Sequence, residues 1–325
     1  MNNQLLLLDR DAVARLMQPD TVLDAVRTAF TLHGSGQGRG FPVVREALAT
    51  GGVFGIKSGD VASRDLLGFK AAGFWPGNRE LGSEPHQATI MLFDPATGRP
   101  RCIMDGNAIT TARTAAAGEL GLRTLARQEA VSLCVFGTGV QAAAQLAAAV
   151  RALPSLRELR YVSRSGQPDG AFEARCAALG ANGRTLTHAI DADAAVAASD
   201  IVVTATPARG PLFSADAVRP GTHINAVGAD TRGKRELPEG LLERARVVVD
   251  DQRQAKALGE MQWATGIDCV QLGDLLTGQA WFTREPDDIT IFDMTGLALQ
   301  DLVLGQYLFD AARLEGDGLS IAWPW

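Results

Sequence analysis

The chain has 325 residues, enough for about two domains. Apolar residues make up 46% and charged residues 21%, the balance of a globular, water-soluble protein. The net charge of −6, with no basic run, argues against a nucleic-acid partner.

The start, MNNQLLLLDR, holds four consecutive leucines before Asp9 and no basic segment, too little for a secretory leader. No stretch approaches the ~20 apolar residues of a membrane span, so a cytoplasmic protein is expected. Asp11 to Met17 and Asp20 to Phe30 read as short amphipathic helices, the second with Val22, Val26, Ala29 and Phe30 on one face. GSGQGRGFP then breaks the chain. Val53 to Lys57, Gly68 to Phe74, Ala88 to Phe93 and Pro100 to Met104 follow as successive strands, which predicts a mixed or antiparallel sheet. At Asn107 an alanine-rich helix begins and carries the chain from a first domain into a second.

From Ala130 strand and helix alternate. Strands are expected at Ala130 to Phe136, Leu159 to Ser163, Asp200 to Ala205, His223 to Val227, Arg246 to Asp250 and Ile289 to Phe292. Helices are expected at Val140 to Ala152, at Ala171 to Leu179 and from about Leu297. This is the rhythm of a doubly wound parallel sheet, with the last helix returning to the first domain. Cys102, Cys134, Cys176 and Cys269 form no CxxC pair, and His33, His86, His188 and His223 are scattered. Neither a disulfide framework nor a metal site is expected.

The strand AVSLCVF runs into Gly137-Thr138-Gly139-Val140-Gln141-Ala142 and then a helix. This is G-x-G-x-x-A in the context a dinucleotide needs. Gly137 suits the tight turn, Gly139 the close approach of backbone to pyrophosphate, and Ala142 the helix–sheet contact. A plain strand-to-helix turn can also carry glycines, but here both flanks and the later strands fit. The second strand ends Ser163-Arg164-Ser165, without the carboxylate that binds a ribose 2′-hydroxyl. Arg164 between two serines suits a 2′-phosphate, so NADP(H) is favoured and NAD(H) is the alternative. Thr204, Thr206 and Val227 lie at other strand ends and are expected to line the nicotinamide and ribose, with Gln87 reaching the same place. A lysine in the apolar run around Lys70 needs a partner or an anion. Asp230 follows a strand at the carboxyl end, where α/β sheets place ligands.

Several stretches resemble the ornithine cyclodeaminase/mu-crystallin family, in the family's order. They are Gly68 to Asn78, His86 to Pro100, Asp105 to Ala116, Val135 to Ala142, Ile224 to Asp230, Arg235 to Leu237, Val247 to Asp251 and Ile291 to Asp301. The resemblance implies a Rossmann-type doubly wound parallel sheet, at residues 116–299, plus a smaller α/β dimerisation domain with a mixed sheet, at residues 1–115 and 300–325. It implies a homodimer and a small amino or imino acid substrate. Arg45 and Arg113 match the family's carboxylate-binding arginines, and Arg113 also enters the cofactor set. Lys70 matches its active-site lysine, Asp230 its catalytic aspartate, and Thr295 a position near the nicotinamide. The implied activity is hydride transfer at an α-carbon, as in L-ornithine to L-proline plus ammonia. An NADPH-dependent cyclic ketimine (Δ1-pyrroline-2-carboxylate) reductase, an alanine dehydrogenase and a mu-crystallin-like binding protein are the other outcomes the resemblance allows.

Overall fold

The computed structural model describes residues 4–181, 184–264 and 266–324, and it divides into two compact units, Met1–Arg113 with Leu297–Trp325, and Thr114–Gly296.

The first unit opens with β1 (Gln4–Leu8), α1 (Arg10–Leu16) and α2 (Pro19–Gly34). Asp9 caps α1 by accepting from the Ala12 N–H at 2.9 Å. Pro19 begins α2, where its missing N–H costs nothing, and Val22, Val26, Ala29 and Phe30 are all buried. Next come β2 (Arg39–Gly40), β3 (Val44–Ala47), β4 (Val53–Val61), β5 (Leu66–Phe74), β6 (His86–Phe93) and β7 (Pro100–Asp105). β4 through β7 form an antiparallel meander, β1 joins β7 in parallel, and the sheet is therefore mixed, as expected. α3 (Asn107–Leu125) leaves this unit, and the division falls within it.

The second unit is an all-parallel sheet. Its elements are β8 (Ser132–Phe136), α4 (Val140–Ala152), β9 (Glu158–Val162), α5 (Gly170–Cys176), β10 (Thr185–His188), α6 (Ala192–Ala197), β11 (Ile201–Thr204) and β12 (His223–Ala226). Then follow β13 (Ala245–Val249), α7 (Gln252–Leu258), β14 (Cys269–Gln271), α8 (Leu272–Thr277) and β15 (Ile289–Asp293). The strand order is β10-β9-β8-β11-β12-β15-β13-β14. Every residue of β8, β11, β12 and β15 is buried, as strands covered on both faces require. The order reverses between β8 and β11, and a crevice for a ligand belongs at the carboxyl ends of those strands.

The chain then returns to the first unit as α9 (Ala298–Glu315) and β16 (Leu319–Ala322), the latter pairing with β1. α9 packs on α2 and on the β4–β5–β6 face. The absent side chain of Gly68 makes this contact close, since a Cβ there would lie 2.9 Å from Leu302 Cδ2. Among the described residues, no helix is long and apolar enough to cross a membrane.

Candidate active site

In the first unit, alternate residues of a strand share a face. Lys57 stands directly opposite Lys70 in the β4–β5 ladder, and Arg45 stands opposite Gly55. Arg45, Lys57 and Lys70 therefore project from one face of the sheet. Arg45 lies within strand β3. A Cβ on Gly55 would come within 3.1 Å of Arg45 Cδ, so the missing side chain makes room for the arginine.

Lys70 is only 4% exposed, and its partner is Asp301, on the first turn of α9, at Nζ–Oδ2 2.8 Å. Thr110 accepts a second bond from Lys70 at 3.2 Å. Arg113, from α3, donates Nε to Asp301 Oδ1 at 3.2 Å and Nη1 to Gln300 Oε1 at 3.0 Å. Burial, followed by the Arg113 charge, pushes Lys70 down to about 7, although Asp301 pulls the other way; Lys57 adds to the depression. Burial alone would raise the Asp301 carboxyl, yet Arg113, Lys70 and Lys57 together hold it below its ordinary value. Positive charge thus outweighs negative around this carboxylate. His86 belongs to the same field. Burial, then Lys70, push its imidazole down to about 4, and Nδ1 sits 3.2 Å from Asn107 Oδ1.

The second unit holds the glycine turn. Gly137 has φ +100°, which a side chain would strain, and a Cβ there would meet Ala205 O at 2.7 Å. No atom lies within 4 Å of a Cβ built on Gly139, which leaves the approach to the α4 N-terminus open. α4 begins at Val140 with Gly139 as its cap, and Ala142 is fully buried. This geometry fits a pyrophosphate held by backbone N–H groups and the helix dipole. Thr138 and Gln141 flank the turn, half-buried. Ser163 is buried and donates to Gln167 O at 2.6 Å, while Arg164 and Ser165 are exposed.

Asp230 follows β12 and is 37% exposed by side chain. Lys234 Nζ bonds its Oδ1 at 2.6 Å and the Thr231 hydroxyl bonds it at 3.0 Å. Glu236 ties the neighbouring strand ends together. One oxygen accepts from the Thr204 hydroxyl and the Gly228 N–H, both at 2.8 Å; the other accepts from the Thr206 N–H and hydroxyl, both at 2.7 Å. Thr295 donates to Asp250 Oδ1 at 2.6 Å and accepts from Gln254 at 2.7 Å. Thr204, Thr206 and Thr295 thus spend their hydroxyls on buried carboxylates. Burial, then Asp293, push Glu260 up to about 8, burial pushes Asp293 up to about 7, and burial raises Glu236 as well.

The structure gathers Lys70, Arg113 and Arg45 on one unit, and the turn residues, Ser163, Arg164, Ser165, Thr204, Thr206, Val227, Asp230 and Thr295 on the other. Gln87 belongs to the first unit, on the sheet face opposite Lys70, and its amide donates to Glu84 O at 2.8 Å. Residues that the sequence reading left without a role are Lys57, His86, Asp301, Lys234 and Glu236. Asp301 and Glu236 did lie within the motif stretches Ile291 to Asp301 and Arg235 to Leu237.

A family model described as "Ornithine cyclodeaminase/mu-crystallin family" matches residues 3–316. The iminosuccinate reductase of Paracoccus denitrificans is 34% identical over 96% of this chain and 98% of its own. A solved archaeal alanine dehydrogenase dimer with bound NAD superposes with TM-score 0.89 at 31% identity, covering 98% of this chain and 99% of that one. The Δ1-pyrroline-2-carboxylate reductase of Thermococcus litoralis, solved with NADH and L-proline, gives TM-score 0.89 at 27% identity, covering 97% and 100%.

Proposed function

The chain belongs to the ornithine cyclodeaminase/mu-crystallin family, and from that premise we propose that it is a nicotinamide-dependent oxidoreductase of a small α-imino or α-amino acid, running as a reductase and, in reverse, as a dehydrogenase. Bound nicotinamide supplies or accepts the hydride. Gly137, Gly139 and the α4 N-terminus hold its pyrophosphate. Lys70 and Arg113 receive the substrate carboxylate, and Asp301 fixes both cations by bonding each. Asp230, with Lys234 against it, handles the proton on the substrate nitrogen. Chains of this kind pair as homodimers in our reading, which the archaeal alanine dehydrogenase dimer supports.

The observation that carries net reduction, and not ornithine cyclodeamination, is the charge on the β4–β5 face. Lys70, on that face, and Arg113, on α3, both bond the Asp301 carboxylate, and the charge of Lys57 also acts on it. A second ammonium, on a substrate side chain, would be repelled there. The test is product identification. The protein is incubated separately with L-ornithine, with Δ1-pyrroline-2-carboxylate, and with 2-oxo acids plus ammonia, each with NAD(H) and NADP(H). We expect loss of reduced-nicotinamide absorbance with an imine and no proline from ornithine. Proline and ammonia formed from ornithine without net change in the cofactor would instead make the protein a cyclodeaminase. Absence of any hydride transfer would leave a ligand-binding protein.

A further inference from the structure

Asp230 and Lys234 form an i,i+4 pair, but the segment between them is not helical, so spacing alone does not bring ammonium to carboxylate. A turn does it. The Lys234 N–H donates to Thr231 O at 3.0 Å, and Gly233, with φ +83°, takes the left-handed position within that turn. Lys234 Nζ then reaches back to Asp230 Oδ1 at 2.6 Å and to Gly228 O at 3.2 Å. Two side chains of the short helical turn Glu260–Trp263 grip the other side of this segment. The Gln262 amide accepts from the Gly233 N–H at 2.8 Å and donates to Lys234 O at 3.2 Å. The same nitrogen donates to Leu258 O at 3.1 Å and Gly259 O at 2.8 Å, which anchors it to the end of α7. Trp263 Nε1 donates to Lys234 O at 2.8 Å. The residue is 45% exposed, with the Arg235 guanidinium 5.5 Å from its ring centre, so burial in the core does not account for an indole here. Gln262 and Trp263 thus converge on one carbonyl, that of the residue whose ammonium holds Asp230.

We propose that Gln262 and Trp263 are positioning residues for the proton-handling carboxylate. By fixing the Lys234 backbone they keep its ammonium on Asp230, and so keep that carboxylate oriented for the proton on the substrate nitrogen. They act through Lys234 and not on the substrate. The inference rests on the reading of the chain as an imino acid reductase in which Asp230 handles that proton.

Two measurements on the full chain test this, each on the unmodified protein, on Gln262→Met and on Trp263→Phe. The first variant removes the amide at similar length; the second keeps a ring for Arg235 and removes the N–H. The first measurement needs no turnover. Lys234 is acetylated with acetic anhydride and its peptide followed by mass spectrometry, with exposed Lys256 as the internal reference. We expect the rate ratio of Lys234 to Lys256 to rise at least about threefold in each variant, as the ammonium loses its fixed partners. The second measurement is steady-state reduction of Δ1-pyrroline-2-carboxylate, or of pyruvate plus ammonia, whichever imine the unmodified protein turns over. We expect kcat to fall about tenfold or more, with KM, the nicotinamide dissociation constant and the unfolding midpoint nearly unchanged. An unchanged acetylation ratio in both variants overturns the proposal, and so does a raised ratio with full kcat. A parallel loss of kcat, cofactor affinity and stability would also overturn it, leaving the two residues a structural role. If the unmodified protein reduces no imine, the reductase reading falls and the positioning role with it, while the acetylation ratio still reports whether Gln262 and Trp263 hold Lys234.

Discussion

A lysine that titrates near neutrality makes carboxylate binding depend on pH. Lys70 is pushed down to about 7 by burial and by Arg113, and its cationic form is the one that holds an anion. The dissociation constant of an inert carboxylate such as propionate should therefore rise by up to tenfold per pH unit above about 7, until bound anion and free lysine titrate together. Lys70→Arg should remove that rise, because guanidinium stays charged. A flat profile across neutrality in the unmodified protein would take Lys70 out of the carboxylate site. Asp230→Asn should keep fold and cofactor affinity while removing most turnover, since an amide accepts no proton as a base. Its lost contact with Lys234 is partly exposed and costs no more than about 1 kcal/mol. Near-full activity would reduce Asp230 to a structural role. At the end of β9, exposed Arg164 has no carboxylate beside it in Ser163-Arg164-Ser165 to repel a 2′-phosphate. NADP(H) should bind at least as tightly as NAD(H), a tenfold preference needing ~1.4 kcal/mol. Arg164→Asp should weaken NADP(H) and spare NAD(H). Side-by-side dissociation constants at one ionic strength decide it, and a clear preference of the unmodified protein for NAD(H) would overturn the assignment.

Among the elements, the carboxyl ends of β11 and β12 depend on one side chain. Glu236 satisfies four donors from these two strand ends. Glu236→Ala would leave them buried without an acceptor, at about 1–3 kcal/mol for each donor that water cannot reach. We expect a loss of at least about 3 kcal/mol in urea unfolding and weaker cofactor binding, with Glu236→Gln milder on both counts. An unchanged unfolding midpoint in Glu236→Ala would refute this role. The same strand ends show what a sequence discloses. The Gly137 turn was legible because strand, glycines and helix are contiguous. Lys70 was legible because it interrupts an apolar run. Thr204 was expected near the nicotinamide from its strand end and Thr295 from the family resemblance; nothing local to either reveals that Glu236 and Asp250 take their hydroxyls. Lys57 was read as the end of a strand; the strand runs on to Val61, with Gly59 paired to Gly68. Its place opposite Lys70 is a cross-strand register that spacing does not reveal. Short edge strands such as β10, β14 and β16 went unread because three or four residues are too few to establish a period.

For the molecule as a whole, cofactor binding and stability are linked. A nicotinamide dinucleotide at a hundred times its dissociation constant should raise the unfolding free energy by about 2.7 kcal/mol. Hydrogen exchange should show the gain at Gly137 to Ala142 and the flanking strand ends, and protection spread evenly over all amides would contradict this location. The order of the chain has a further consequence, on the ribosome. Asp301 lies 188 residues after Arg113, with which it shares a hydrogen bond, and the whole Thr114–Gly296 unit is synthesised between them. At about 5–20 residues per second, Lys70 and Arg113 wait about 10–40 s for their carboxylate. Through that interval the β4–β6 face that α9 will cover stays open, with a lysine on it that folding later buries. Translation therefore completes the Thr114–Gly296 unit while the first unit is still a nascent, chaperone-accessible sheet, and a ribosome that stalls before residue 297 leaves a chain in which Lys70 and Arg113 lack the carboxylate of Asp301.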